Sequence, residues 1–390
     1  MSRPLRLLTL GHSYVVGANR LLAHEMAVQG AGEWEVTAVA PERFPGDLGP
    51  IAAEPMEGEA CALETVPVVF ARRVHTMLYE RPLRDILARG WDVVHCWEEP
   101  FVAGAAQVAR WAPPEAALVF ASFQNLSKRY PLPFRWMERY AMDRADGWIA
   151  FGRTVEETLA ARDGYRRQPH AVIPPGVDLR RFRRDPGAAA AVLRELRWGP
   201  DGRAILGYLG RFVPEKGLRV LMDALDAMPH PPRVLFVGGG PMEGELRAWT
   251  RGRDEVRVVT GVAHAQVPGY LSTMDVLCAP SLTTPRWREQ FGRMLVEAFA
   301  CGVPVVASDS GEIPHVLGDA GVVVPEGDHA ALAAALAALL GDPGRRHALA
   351  ERGLARAREH FSTQVAARRH LAFFREVLAS RAARTEPQAR

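Results

Sequence analysis

Short apolar, β-branched runs alternate with helix-length segments along nearly the whole chain, and this alternation constrains the fold more than any single motif. Runs at 5–10, 35–40, 93–96, 117–121, 147–151 and 170–173 read as strands in the first half, and runs at 204–209, 233–237, 256–260, 276–279 and 303–307 in the second. A strand that returns parallel to its predecessor needs a helical crossover, so the pattern predicts right-handed βαβ units and parallel sheets, an α/β class. Two such sets in 390 residues predict two doubly wound, Rossmann-like domains, each with its own core. The break is expected between Pro174-Pro175-Gly176 and about Arg203. That gives an N-terminal domain over 1–180, a C-terminal domain over 181–361 and a last segment over 362–390. Within the last segment, 364–378 carries apolar residues at helical spacing, and 381–390 reads as a disordered tail.

Composition narrows the function classes. A net charge of +3 without a long basic tract argues against nucleic-acid binding by bulk electrostatics. The cluster Arg180-Arg181-Phe182-Arg183-Arg184 reads as a solvated face, with contact to anionic lipid as the alternative. Cys61, Cys96, Cys278 and Cys301 lie far apart and read as buried thiols of a reducing compartment. The longest apolar run, 330–340, falls short of the roughly 20 residues of a membrane span and reads as a core helix. No cleavage-like pattern follows the N-terminal strand, so the chain is expected in the cytoplasm.

Two carboxylates stand out in Glu289-Gln290-Phe291-Gly292-Arg293-Met294-Leu295-Val296-Glu297. The first lies in a glycine-containing turn and the second inside a helix apolar in nearly every direction. A buried carboxylate without a partner costs several kcal/mol or shifts its pKa, so Glu297 needs a partner in the fold or in a ligand. Upstream, the strand 204–209 runs into Gly210-Arg211, and Lys216 stands just before an expected helix. Only Lys128 and Lys216 are lysines among 48 basic residues, which singles out the ammonium at 216. Arg211 and Lys216 together predict a two-point phosphate site. Gly238-Gly239-Gly240 would allow close backbone approach by a ligand, and Gly292 would let helix N-terminal amides reach a phosphate. The order G-x-G-x-x-G is missing there, which lowers the dinucleotide-binding alternative. With no Asp-x-Asp pair and no histidine ligand spacing, no metal is implied.

The segments Pro174-Pro175-Gly176-Val177-Asp178, 210–217, 237–241, Gly261-Val262, Ala279-Pro280-Ser281 and 289–327 resemble, in order and spacing, the retaining GT-B glycosyltransferases of glycosyltransferase family 4. The resemblance covers the second domain almost throughout and the first more loosely. It implies two Rossmann-like domains facing across a cleft, with the last helix crossing back to the first domain. It also implies metal-independent transfer of a sugar from a nucleotide-diphosphate sugar to an acceptor hydroxyl on a glycan, a lipid-linked or a small-molecule acceptor, with retained anomeric configuration. By that similarity Arg211 and Lys216 hold the diphosphate, Glu297 the ribose and Glu289 the hydroxyls of the transferred sugar. Val262 lies near the base, and Gly210, Gly239, Gln290, Phe291, Gly292, Arg293 and Met294 complete the donor side.

The first domain departs from the family pattern twice. Its first strand leads into Gly11-His12-Ser13-Tyr14-Val15-Val16-Gly17 instead of a Gly-Gly turn, and Gln124 stands near where many members carry a histidine. Gln124 cannot act as acid or base, but its amide can hold a sugar hydroxyl. His12, Gly17, Trp97, Glu98, Glu99 and Arg286 are the acceptor-side candidates; His95 either contacts substrate or, as its apolar strand 93–96 favours, is a strand-end histidine satisfied by backbone. The stretch 128–140 mixes basic and aromatic residues. It reads either as an acceptor wall or as an amphipathic helix that buries Phe134, Met137 and Ala141 on its own domain. Two alternatives to an active transferase remain at this level: a non-catalytic sugar-nucleotide or glycan binding protein, and a sugar-nucleotide epimerase on the same fold.

Overall fold

The computed structural model describes residues 3–46, 49–166, 168–199 and 201–385. They form two compact units, one of residues 3–176 with 363–385 and one of 177–362.

The first unit is built on a seven-stranded parallel sheet. Its strands are β1 Leu5–Leu10, β2 Trp34–Pro41, β3 Ala62–Val66, β4 Val93–Cys96, β5 Ala117–Ser122, β6 Gly147–Ala150 and β7 His170–Val172. They lie in the order β7-β6-β5-β4-β1-β2-β3. Strands β4, β5 and β6 are buried at every position, as expected for central parallel strands covered by helices on both faces. Two short antiparallel ribbons, Arg43–Gly46 with Gly49–Ala52 and Val68–Val69 with Leu78–Tyr79, leave the sheet.

The second unit repeats the plan with β8 Ile205–Arg211, β9 Arg233–Gly239, β10 Val256–Val259, β11 Val276–Ala279, β12 Val305–Ser308 and β13 Gly321–Val324. These form a six-stranded parallel sheet in the order β10-β9-β8-β11-β12-β13. The order reverses beside β1 in the first sheet and beside β8 in the second, the switch point where open α/β sheets bind ligands.

The helices include α1 Leu21–Gln29, α2 Phe134–Arg144, α3 Leu218–Asp226, α4 Arg293–Ala300 and α5 Thr363–Thr385. Helix α5 packs on α1 in the first unit. Gln364 Nε2 donates to Glu25 at 3.0 Å, Arg375 grips Glu33 through two bonds of 2.7 and 2.6 Å, and Phe374 is buried against Trp34.

Three sequence expectations change. Residues 381–385 are helical, because Arg381 and Arg384 donate to Asp146 at 2.8 and 3.1 Å; the rest of the expected tail lies outside the described residues. The run 330–340 forms the helix His329–Leu340, buried along one face only through Leu332, Ala333, Leu336 and Leu339. The edge strands β3 and β13 were missed: Glu64 and Thr65 break the apolar run of β3, and β13 is a four-residue Gly-Val-Val-Val strand that buries only Val324. All four cysteines are free and buried, and burial pushes the Cys61 and Cys301 thiols up to about 12. Among the described residues no helix is long and apolar enough to cross a membrane.

Candidate functional site

The strand ends of the second unit gather a compact charged cluster. Leaving β8, the chain passes Arg211 and makes a tight turn, Pro214–Lys216, before α3. Gly217 closes that turn at φ 70°, and a Cβ there would lie 1.8 Å from the carbonyl oxygen of Pro280, so no other residue fits without displacing the loop after β11. The close approach brings Lys216 to the segment that follows β11. Lys216 Nζ meets Glu289 Oε2 at 2.5 Å, and the Ser281 hydroxyl donates to the same oxygen at 3.0 Å. Trp287 lies below the ammonium, its ring centroid 5.0 Å away. Both partners of the ion pair are largely enclosed, with side chains 12% and 8% exposed.

The backbone of Glu289 is fixed from the other side. Gly311, at φ 58°, lies against it so closely that a Cβ would sit 2.1 Å from the Glu289 carbonyl oxygen, which also accepts the Glu312 N–H at 3.0 Å. Hydroxyls surround the cluster: Ser308 donates to the carbonyl of Ser281, and Thr283 bonds Ser310 at 3.0 Å.

Helix α4 begins at Gly292, at φ 78°, with no side chain capping its first turn, so its N-terminal amides are arranged as for an anion. Leu295 to Ala300 are all buried, Glu297 with them at 7% exposure. Glu297 has a partner in the fold, His264, but the Nε2–Oε1 distance is a long 3.4 Å. Arg211 is exposed, 4.0 Å from Glu215, and does not join the Lys216–Glu289 pair. Val262 is half-buried against the core. At the ends of β8 and β9 Gly210 pairs with Gly238 and Arg211 with Gly239, while Gln290, Arg293 and Arg286 are exposed and Met294 is half-buried. Phe291 corrects an expectation: its ring is buried and packs on Phe361 at 5.7 Å, so only its backbone can face a ligand. Ser281 and His264 were missed, and Trp287 was expected only as part of the segment 283–288 that borders Glu289. Their sequence signals were slight, although Ser281 stands in the Ala279-Pro280-Ser281 segment already singled out.

In the first unit the strand ends are polar but closed. Glu98 has no exposed surface, and it accepts the His12 N–H at 2.6 Å, pairs with His12 Nδ1 at 2.7 Å and accepts the Tyr79 hydroxyl at 2.8 Å. Burial alone would raise the Glu98 pKa, but these donors outweigh it and hold the carboxyl below its usual range. Burial likewise pulls the His12 imidazole down, and the bond and charge of Glu98 reverse that to a net rise. Glu98 is thus an anchor of the loop after β1 and does not face a ligand.

Gly17 is also corrected, since its N–H is taken by Glu54 at 2.9 Å. Arg20, unremarked in the sequence, is fully buried and ties that loop to Glu59 and to the Tyr14 carbonyl. His95 is fully buried among Trp97, His370 and Phe374, so it meets no substrate.

Glu99 accepts Ser122 Oγ at 2.6 Å and the Phe123 N–H at 2.7 Å, and burial pushes it up to about 7 against those two bonds. The Gln124 amide is engaged in its own loop, donating to the Tyr130 hydroxyl at 2.5 Å and accepting from the Leu126 N–H at 3.2 Å. Trp97 stacks on Phe151 with centroids 4.8 Å apart, and Phe123 meets Phe151 at 3.8 Å with its ring tilted.

Residues 17–181 match the family Glycosyltransferase Family 4, and residues 197–356 match Glycosyl transferases group 1. A GDP-mannose-dependent alpha-(1-6)-phosphatidylinositol monomannoside mannosyltransferase of Mycobacterium tuberculosis is 35% identical over 299 residues, 72% of this chain and 77% of that protein. The chain belongs to the family 4, group 1 glycosyltransferases.

A D-inositol 3-phosphate glycosyltransferase of Xylanimonas cellulosilytica is 32% identical over 67% of this chain and 63% of its own. The chain spans only 50% of the Mycolicibacterium smegmatis counterpart of the mannosyltransferase, at 36% identity over 46% of this chain. Among solved structures, a sucrose-phosphate synthase of Thermosynechococcus elongatus superposes with a TM-score of 0.73 at 22% identity, over 96% of this chain and 100% of that one. That likeness supports the GT-B fold of two Rossmann-like domains.

Proposed function

We propose that this chain is a retaining glycosyltransferase that moves a sugar from a nucleotide-diphosphate sugar to an acceptor hydroxyl without a metal ion. The observation that carries the reading is the Lys216–Glu289 pair, held by two left-handed glycine contacts at the strand ends and set beside the uncapped start of α4. Lys216, Arg211 and the first amides of α4 receive the diphosphate. Glu289, already held by Lys216 and Ser281, meets the hydroxyls of the sugar at the point where sugar and diphosphate join. Glu297, whose contact to His264 is long, accepts from the ribose, and Val262 borders the base.

In this scheme the leaving diphosphate takes the acceptor proton, and the new bond forms on the face it departs from. The protein's chemical contribution is stabilisation of the charge that develops on that diphosphate, worth about 2.7 to 4 kcal/mol for one positioned donor. Catalysis needs no titrating side chain in this scheme, which suits a Gln124 that can only hold position. The reading places the enzyme in the cytoplasm, and the relatives' names make GDP-mannose and inositol-phosphate acceptors the first ligands to try.

A thermal-shift screen of UDP, GDP, ADP and TDP sugars identifies the donor, because a ligand that binds only the native state raises the melting temperature. Transfer from that donor is then followed by mass spectrometry, and the anomer of the product by NMR. Binding without transfer or hydrolysis to any acceptor overturns the enzyme reading. A changed nucleotide sugar released without an acceptor identifies an epimerase.

A further inference from the structure

We propose that Trp287 determines which sugar is transferred, its ring stacking on the apolar C–H face of the hexose whose hydroxyls meet Glu289. The inference rests on the donor-site reading above and adds to it a residue and a specificity. Trp287 stands two positions before Glu289, and the Lys216 ammonium that pairs with Glu289 lies 5.0 Å from its ring centroid. In that reading Lys216 meets the diphosphate and Glu289 the sugar, so the indole borders the point where the two join.

Folding makes little use of the indole. The segment 281–289 is a loop closed on one carboxylate, because the Ser281 hydroxyl donates to Glu289 Oε2 at 3.0 Å. Between those ends the Leu282 N–H donates to the Glu215 carbonyl at 2.8 Å and the Thr283 N–H to Glu326 at 2.6 Å. Thr284 and Trp287 pair through backbone bonds of 2.7 and 3.3 Å, and the Thr284 hydroxyl accepts the Trp287 backbone N–H at 3.0 Å. These contacts are made by backbone, hydroxyl and carboxyl groups, none by the Trp287 ring. Among the described residues the ring joins none of the four apolar cores, and its indole N–H has no partner. Phe291, the next aromatic residue along the chain, is turned inward onto Phe361. A half-buried tryptophan held on a pinned loop outside any core is a preformed contact for a ligand.

The groups around the ring select the class of ligand. Glu289 offers a carboxylate and Ser281, Thr283 and Ser310 offer hydroxyls, partners for the hydroxyl rim of a sugar. An aromatic face suits the C–H hydrogens of a pyranose. Turning one ring hydroxyl toward the indole replaces a C–H contact by an oxygen and lifts the sugar away, so a flat aromatic wall discriminates between epimers. The indole N–H can add a bond to a hydroxyl at the rim.

The test compares a free nucleoside diphosphate with its sugar conjugates: GDP and the GDP conjugates of mannose, glucose and galactose, or the corresponding uridine set where the thermal-shift screen selects uracil. Trp287→Ala is expected to lower kcat/KM for the preferred sugar about 10- to 100-fold and to narrow the preference among the three epimers to under about threefold. The Kd of the free diphosphate, measured by calorimetry, should stay within about twofold of wild type. Trp287→Phe keeps a ring and should hold kcat/KM within about fivefold. The indole packs in no core, so melting temperatures matching the wild type verify folding. Equal losses for the free diphosphate and its sugar conjugate overturn the proposal, because the ring then supports only Lys216 or the base. An epimer preference that survives in Trp287→Ala also overturns it. A wild type that binds neither the free diphosphate nor its conjugates overturns instead the donor-site reading on which the proposal rests.

Discussion

In the second unit the strand ends hold charge through backbone contacts: Gly217 lies on the Pro280 carbonyl, Gly311 on that of Glu289, and Lys216 and Glu289 meet between them. In the first unit, built on the same strand order, the polar groups at the strand ends are already taken by donors and acceptors of their own loops. Glu98 is sealed by His12 and Tyr79, and Gln124 by Tyr130 and its own loop. One sheet presents charge where a ligand can exchange for a protein partner, and the other spends its polar groups on fixing loops. The same strand order thus carries an enclosed ion pair at the strand ends of one unit and a set of loop anchors at those of the other.

The largest expected effect tests that separation directly. Lys216→Ala removes the ammonium from the developing diphosphate charge and is expected to lower kcat about 10² to 10³-fold. Gln124→Ala, whose amide already serves its loop, should lower kcat less than about tenfold, measured as turnover of the donor found by thermal shift. Equal losses from the two variants would dissolve the contrast between the units.

Next comes the backbone that holds the pair. Gly311→Ala places a methyl 2.1 Å from a carbonyl oxygen at a left-handed position, and is expected to cost about 2 to 4 kcal/mol in urea unfolding. At Gly17 a Cβ would meet nothing closer than 3.7 Å, and Gly17→Ala should change stability by less than about 0.5 kcal/mol. The pair compares a glycine that defines a site with one that only occupies a loop.

Glu297→Ala should weaken the donor about 10- to 100-fold in calorimetry, the loss of a charged hydrogen bond worth about 1.5 to 3 kcal/mol. Unchanged affinity would remove the ribose from Glu297 and leave it a buried partner of His264.

The sequence showed the sheets because their central strands are uniformly apolar. It hid β3, whose Glu64 and Thr65 interrupt the apolar pattern, and β13, whose Gly321 and three valines make a run too short to stand out. It showed Glu289, Lys216 and Glu297 because a carboxylate in an apolar helix and a rare lysine have no cheap structural explanation. What it could not show is the contact between Lys216 and Glu289, 73 positions apart, which depends on the approach of Gly217 to Pro280. For the same reason it put Glu98 and His12 on the acceptor side, while the apolar strand around His95 already favoured its burial: burial at a strand end depends on what the helices and loops above it cover.

The smallest expected effect lies in the first unit and concerns pH. Burial favours the neutral form of Glu99 and pushes it up to about 7, while an unfolded glutamate titrates near 4.5. Between those values the folded chain keeps a proton that the unfolded chain has lost, so this group makes stability fall as pH rises from about 4.5 to 7 and leaves it low above 7. Glu99→Gln retains an acceptor for the Phe123 N–H and a partner for Ser122 while removing the titration. The variant should therefore melt higher than wild type at pH 8, by about 2 to 4 °C, the response of a domain of this size to roughly 1 kcal/mol. At pH 4.5 the two should melt alike. If the variant instead melts lower than wild type at pH 8, the charged carboxylate is the form the loop selects, and the first unit holds its strand-end charge as openly as the second.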